Sequence, residues 1–167
     1  MRTAIRVVSP TFLFLAIASG ILSQESSVGK QESVQLAYEL FLTKCKGSSC
    51  RTESAAKGKV QIQLEAEDQS FAWGYKGAQA RTDRLSYYLR FKASHGSKTG
   101  LTKMGLDIGF AGRVETPFEN KQVTWVDKLF TAKEWNAFPP MSVLGKKYLD
   151  GEETVTPRLD VRVLLSE

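Results

Sequence analysis

The chain has two cysteines, Cys45 and Cys50, which are the first candidates for chemistry. Four residues separate them, and strand-like runs flank the pair on both sides. A redox pair is more often spaced Cys-x-x-Cys at the start of a helix, and a metal site would need more ligands than a chain with one histidine offers. In an oxidising compartment, two cysteines this close in sequence generally pair. The sequence therefore predicts a structural Cys45–Cys50 disulfide and no metal site.

A catalytic set is hard to assemble from this chain. The single histidine, His95, lies in a predicted turn, and nothing near it indicates an activated nucleophile. Glu65, Glu67 and Asp68 follow a strand-like run, and neighbouring carboxylates can support acid–base hydrolysis or bind calcium. Acids at the end of a strand are more often simply solvated. We therefore expect a non-catalytic protein with no cofactor, and rank a carboxylate-based hydrolase last among the functions considered.

Basic residues surround the cysteine loop, against one acid, Glu53. A loop restricted by a disulfide and carrying this charge could meet an anionic surface, such as lipid headgroups or an acidic polysaccharide. Lysines also keep an exposed hairpin end from aggregating, without any ligand. Both interpretations remain open from the sequence. We call this set the basic tip, and it consists of Lys44, Lys46, Arg51, Lys57 and Lys59.

Three aromatic residues, Phe71, Trp73 and Tyr75, recur at every second position of one run. If the run is a strand, the three rings lie on one face of a sheet. Exposed in a row, such rings can stack on sugars or pack on an apolar ligand. Buried, they are part of the core, which a domain of this size must fill with large side chains. The sequence alone leaves both possibilities open.

Alternation of apolar and polar residues indicates the elements that position these candidates. Period-two runs bounded by Gly- and Ser-rich turns are typical of half-buried antiparallel strands. Alternation of strands with helices is absent, which argues against a parallel sheet. The sequence predicts an all-β fold, a single antiparallel sandwich with one short helix; a small closed lipocalin-like barrel is the alternative. The clearest strands are residues 34–42, 60–65, 85–93 and 159–165.

The hairpin around the cysteines carries a register conflict. If Cys45 faces Cys50, a regular hairpin would place the apolar residues of its two strands on opposite faces, because the side-chain period is two. A bulge near Gly58 would remove the conflict. Otherwise residues 52–57 form a loop, and the second strand pairs elsewhere. The predicted helix lies further along the chain, where Thr131 and Glu134 fit a capping box.

The N-terminus indicates export. Arg2 and Arg6 precede an apolar run at residues 11–22, and small residues follow, which is typical of a secretory signal peptide over residues 1–23. Cleavage is expected after Ser23, with earlier small residues as alternatives. The apolar run is shorter than the ~20 residues of a membrane span, although an uncleaved anchor is the rival interpretation.

Removal of residues 1–23 leaves 144 residues, enough for one hydrophobic core. We expect a flexible lead-in at residues 24–32 and an all-β domain at residues 33–167. The removed segment holds two arginines and no acid, so 21 basic and 18 acidic residues remain, a net charge of +3. This balance is too weak to argue for nucleic acid. No second apolar stretch of the sequence is long enough for a transmembrane helix.

These features favour an exported, secreted or periplasmic, binding or scaffold domain of the cell envelope or extracellular space. Its expected partner is another protein or an anionic surface. The alternative function is a carrier that holds a small apolar ligand inside a β-barrel.

Overall fold

The computed structural model describes residues 32–67, 70–82, 85–98 and 101–164, and nearly all of them lie in strands. The predicted signal peptide and most of the predicted lead-in lie outside the described residues, as does Asp68. Within the described part of the chain, no helix is long and apolar enough to cross a membrane. In chain order the elements are β1 (Ser33–Lys46), β2 (Ser49–Gln63), β3 (Glu65–Ala66), β4 (Phe71–Arg81), β5 (Leu85–Lys98), β6 (Leu101–Glu115), β7 (Asn120–Ala132), a 3-10 turn (Trp135–Ala137), β8 (Met141–Leu144), β9 (Tyr148–Asp150) and β10 (Glu153–Leu164).

The strands form two antiparallel sheets. In the first, the order is β2-β1-β10-β8, and β9 also pairs with β10; in the second, the order is β3-β4-β5-β6-β7. The described strands do not close into a barrel, so the predicted sandwich is confirmed and the barrel alternative is wrong. The short strand β3 forms the edge of the second sheet, where Glu65 pairs with Trp73 and Ala66 with Ala72.

The core lies between the inner faces of the two sheets. Tyr87, Phe91 and Phe110 of the second sheet are fully buried. The ring of Tyr38 on β1 meets that of Phe91, with 5.3 Å between centroids, so the two sheets pack directly on each other. Large side chains fill this space, as expected for a sandwich interior. The carrier hypothesis therefore loses the closed barrel on which it depended.

The β1–β2 hairpin resolves the register conflict with a bulge. Cys45 pairs with Cys50, Phe41 with Ser54 and Leu40 with Ala56, which leaves Ala55 as the extra residue. The predicted slip is confirmed, but it lies at Ala55 rather than near Gly58, and the alternative of a loop at residues 52–57 is wrong because β2 is continuous. After the slip, Val60 and Ile62 join the buried face of β1.

The prediction that a helix begins with a cap at Thr131 is wrong. Thr131 lies inside β7, paired with Gly105, so it is held in the sheet and does not cap a helix. A single 3-10 turn follows at Trp135–Ala137, and its preceding residue, Glu134, makes no capping side-chain bond. The turn is anchored by packing instead, since the rings of Trp135 and Phe138 stack with 5.9 Å between centroids.

Candidate functional site

A surface cleft lies where the edge of the first sheet meets the second. The end of β2 runs beside β4 because Gly74 has no side chain: a Cβ there would stand 1.9 Å from the backbone oxygen of Gln63. The resulting cavity has a volume of about 310 Å³. We call it the aromatic cleft, and its lining residues are Gln61, Gln63, Glu65, Trp73, Gly74, Tyr75 and Lys76.

The Trp73 ring is held in place by polar contacts. Its indole N–H donates to Glu67 Oε1 at 2.7 Å, and Lys92 Nζ lies 4.9 Å from the ring centroid. The ring is half-buried. Because its orientation is set in advance, little side-chain entropy would be lost when a ligand stacks on it.

The aromatic row Phe71, Trp73 and Tyr75 points away from the core, because Gly74 between them faces inward and is buried. Tyr75 is 56% exposed and lines the cleft beside Trp73. Phe71 lies outside the cleft lining and packs over Gly96, where a Cβ would stand 3.1 Å from the ring. The structure thus brings two of the three candidate rings together at one cavity.

The cleft combines apolar ring faces with fixed polar groups. The amides of Gln61 and Gln63 offer both donors and acceptors, and the Glu65 carboxylate offers acceptors. Gln61 Nε2 donates to Ser33 Oγ at 3.2 Å, which orients that amide. A sugar ring has an apolar face and a rim of hydroxyl groups, so this arrangement is complementary to a saccharide.

The carboxylates considered for catalysis have structural surroundings. Glu67 is occupied as the acceptor of the Trp73 indole, and Glu65 is exposed in β3, opposite Trp73. His95 lies within β5 rather than in a turn, which corrects the expected position. Its Nδ1 stands 3.0 Å from Glu32 Oε2, and Trp135 Nε1 donates to the other oxygen of that carboxylate at 2.6 Å. No local pattern in the amino-acid sequence indicates this long-range cluster.

The basic tip is divided by the fold. Its members at the hairpin end make ion pairs: Lys44 with Glu53, and Lys46 with Glu152. Arg51 donates to both carboxylate oxygens of Glu153, from Nη1 at 2.7 Å and from Nη2 at 3.0 Å. Glu152 and Glu153 belong to the β9–β10 hairpin, about 100 residues away in sequence from the cations that they bind. These acids compensate much of the charge that the local sequence indicated.

The remaining two basic residues of that set, Lys57 and Lys59, line a shallow groove on the outer face of the first sheet. Among the described residues, neither makes an ion pair, and Arg162 of β10 lies beside them. The groove has a volume of about 550 Å³, and Glu39 and Asp160 also line it. We call it the first-sheet groove.

Sequence reasoning missed a cluster on the outer face of the second sheet. Arg90 Nη2 lies 2.7 Å from Asp127 Oδ2 and 3.5 Å from Asp107 Oδ2. Its guanidinium carbon lies 5.0 Å from the ring centre of Trp125, which is 41% exposed. The period-two pattern did indicate that Arg90 faces away from the core, but its partners come from other strands.

Two hydrogen-bonded clusters contain tyrosines whose pKa values are raised. The hydroxyls of Tyr87 and Tyr148 hydrogen-bond to each other between the sheets, and burial raises the pKa of both, that of Tyr148 to about 12. On the outer face, Tyr88 donates to Glu115, which raises the pKa of Tyr88. The same bond, with one from Ser86 at 3.0 Å, lowers the pKa of Glu115.

Comparison with known proteins gives little guidance. No protein-family model matches the chain, and no curated protein matches it. Among solved structures, it is similar to Ail, the attachment invasion locus protein of Yersinia pestis, with 10% identity, a TM-score of 0.30, and coverage of 80% of this chain and 97% of that chain. A second structure of Ail, in complex with the heparin analogue sucrose octasulfate, is also similar, with 10% identity, a TM-score of 0.25, and coverage of 80% and 98%. With TM-scores this low, neither structure is evidence about the function of this chain.

Proposed function

We propose that this chain is an exported, non-catalytic binding domain of the cell envelope or extracellular space, and that its aromatic cleft binds a saccharide. The observation that carries the proposal is the Trp73 ring, fixed by Glu67 and set beside Tyr75 and two glutamine amides in one cavity. An aromatic surface bordered by planar hydrogen-bonding groups matches the two kinds of surface on a sugar ring.

Two further features support this proposal. The Cys45–Cys50 disulfide suits an oxidising compartment, where envelope and extracellular proteins reside. Of the two described acids nearest the cleft, Glu65 and Glu67, the second already accepts the indole bond, so the described residues offer no free carboxylate pair there. We therefore assign the cleft a role in ligand binding rather than in bond cleavage.

The test is calorimetric titration with hexasaccharides of β-1,4-linked glucose, N-acetylglucosamine, xylose and mannose. At least one should bind, and Trp73→Ala and Tyr75→Ala should each weaken that binding about tenfold or more, because each removes a stacking surface. Leu149→Ala is the control, since Leu149 is 75% exposed on β9, a strand that contributes no residue to the cleft lining. Failure of all four sugars to bind, or equal binding by wild type and Trp73→Ala, would overturn the proposal.

A second candidate function, binding to an anionic surface, is favoured by the first-sheet groove. Lys57, Lys59 and Arg162 line it with two acids, Glu39 and Asp160, whereas the basic residues at the hairpin end are ion-paired. Retention on a heparin column should fall with added salt, because screening shortens the reach of these charges. It should fall more on changing Lys57 and Lys59 to Ser than on changing Lys44, Lys46 and Arg51 to Ser. Equal retention of all variants would count against this function.

A further inference from the structure

The outer face of the second sheet continues from the aromatic cleft across four strands. Residues that pair directly in an antiparallel sheet point to the same side. The register therefore gives three neighbouring rows on this face, namely Tyr75-Lys92-Asp107-Leu129, Gly77-Arg90-Gly109-Asp127 and Gln79-Tyr88-Ala111-Trp125. Trp125 on β7 thus shares one face with the cleft rings on β4.

Trp125 and Arg90 form a second constellation of the same chemical type as the cleft. Arg90 is held between Asp127 and Asp107 while its guanidinium lies over the Trp125 ring. The Arg90 Nε atom is buried and has no hydrogen-bond partner among the described residues. The indole nevertheless stays 41% exposed, so an aromatic surface stands beside donors and acceptors whose positions are set by ion pairs.

Small and charged residues lie between the two constellations. Gly77, Gly109 and Ala111 occupy positions of the middle and third rows, and Gly105 lies on the same face of β6. Gly77 is exposed, whereas Gly105, Gly109 and Ala111 are buried under neighbouring groups. The charged side chains of Arg90, Lys92, Asp107 and Asp127 therefore line the path from Tyr75 to Trp125.

The distance between the aromatic rings and the charge of the surface between them limit the class of ligand that can bind. Neighbouring strands are ~4.8 Å apart and alternate residues of a strand ~7 Å apart, so three strand intervals and two rows separate Tyr75 from Trp125 by roughly 20 Å. One sugar ring is too short to reach across this distance. Between the rings, the cations Arg90 and Lys92 are matched by Asp107 and Asp127, so the surface gives no electrostatic preference for a charged ligand.

We infer that Trp125 with Arg90 is a second saccharide subsite, and that one uncharged linear oligosaccharide spans this face from the aromatic cleft to Trp125. This inference rests on the proposed function and deepens it, because it specifies a chain of several sugars rather than a single unit. Trp73 and Tyr75 bind one end of the chain, and Trp125 binds the other.

The experiment compares ligand lengths. For the neutral hexasaccharide that binds wild type most tightly in the four-sugar panel, affinity is measured again with its disaccharide and with heparin hexasaccharide. Trp125→Ala should weaken hexasaccharide binding about tenfold and leave disaccharide binding unchanged, since a disaccharide reaches only the cleft. Trp125→Phe should retain most of the affinity, because it keeps an aromatic surface. Phe118→Ala is the matched control, as Phe118 is 98% exposed in the β6–β7 turn, away from both constellations.

The outcomes separate the two proposals. If Trp73→Ala abolishes hexasaccharide binding while Trp125→Ala has no effect, the second subsite is wrong and the cleft stands. If Trp125→Ala weakens both ligand lengths equally, the spanning chain is wrong. If heparin hexasaccharide binds more tightly than every neutral sugar and Trp125→Ala weakens its binding, the inference that the ligand is uncharged is wrong. If no neutral sugar binds wild type at all, the proposed function itself fails.

Discussion

The contact between Tyr87 and Tyr148 is the most buried polar interaction that the described side chains make across the two sheets. The two hydroxyls satisfy each other in an otherwise apolar interior, and Tyr87 is 0% exposed. A buried hydroxyl that loses its only partner bears the full cost of desolvation, whereas removal of both hydroxyls leaves no unpaired group. The pair is therefore energetically coupled.

Tyr148→Phe should lower the free energy of unfolding by ~1–3 kcal/mol, because it leaves the Tyr87 hydroxyl buried without a partner. The double variant Tyr87→Phe/Tyr148→Phe should lose less than the sum of the two single variants. Urea unfolding of the three variants and wild type measures this difference. Strict additivity of the single effects would show that the hydroxyls are not coupled.

The same tyrosines predict a loss of stability at alkaline pH. In the unfolded chain a tyrosine has a pKa of about 10, whereas burial raises the pKa of Tyr148 to about 12 in the folded state, and that of Tyr87 is also raised. Below the unfolded pKa both states keep the proton, and the stability is unaffected. As pH rises from about 10 to 12, the unfolded state loses protons that the folded state retains, so the free energy of unfolding falls.

Urea unfolding followed from about pH 8 to 11 checks this slope. The double variant Tyr87→Phe/Tyr148→Phe should show a shallower fall than wild type, and this comparison removes the contribution of lysines that titrate in the same range. Parallel curves for the two proteins would contradict the assignment.

At the scale of elements, the seam between β2 and β4 shapes the candidate site. Apart from Lys76, which is exposed, the inner face of β4 carries only small residues, namely Ala72, Gly74, Ala78 and Ala80, so β2 can press against it. The large rings of the strand consequently lie on the outer face. This distribution is the reverse of what hydrophobicity alone predicts for an aromatic row.

Gly74→Ala should disrupt this seam. Its Cβ would meet the Gln63 oxygen at 1.9 Å and Ile62 Cγ2 at 2.7 Å, so backbone must move, with an expected loss of ~1–3 kcal/mol or more. Gly77→Ala is the matched control, because the atom nearest its Cβ would be the movable Tyr75 hydroxyl at 3.2 Å, and the Leu89 backbone oxygen would stand at an ordinary contact distance of 3.7 Å. The midpoint of thermal unfolding and the intrinsic tryptophan fluorescence should change for the first variant and much less for the second. Equal stability of both variants would contradict the tight seam.

The disulfide hairpin is a separable element. Cys45→Ser/Cys50→Ser should lower the free energy of unfolding by ~2 kcal/mol, the loop-entropy value for so short a ring. Saccharide binding should be unchanged, because the cleft residues Gln61 and Gln63 lie at the opposite end of β2. Wild type reduced with dithiothreitol should unfold at the same urea concentration as the variant. A loss of binding along with the disulfide would show that the two ends of the hairpin are linked.

At the scale of the whole molecule, strands from opposite ends of the chain are neighbours. β10 lies between β1 and β8, with Leu40 opposite Leu159, so the first sheet is complete only when the C-terminal strand is present. Truncation before Glu153 would expose the inner edge of β1 and unfold the first sheet.

The export proposal predicts that secreted protein begins at Gln24 and contains the Cys45–Cys50 bond. Intact mass spectrometry of material from the culture medium or periplasm, with and without reduction before alkylation, measures both features. A mass that includes residues 1–23, or two thiols that alkylate without reduction, would contradict this proposal.

Features that depend on local periodicity and short-range pairing can be predicted from the amino-acid sequence. Alternation predicted the strands and the antiparallel sandwich, and the apolar patterns around Cys45 and Cys50 required a one-residue slip, which lies at Ala55. These predictions succeed because the side-chain period of a strand is a property of a few consecutive residues. Cysteines five positions apart likewise leave little choice of partner.

Tertiary structure alone decided the order of the strands and the surroundings of each candidate residue. Glu152 and Glu153 compensate the hairpin-end cations, and Asp127 and Trp125 enclose Arg90, although nothing near those residues in the sequence indicates it. Whether Trp73 faces the core or the solvent was also undecided, since apolar residues occupy both faces of β4. The physical reason is that alternation separates two faces of a strand but does not specify which neighbouring strand, and therefore which charge or ring, lies against each of them.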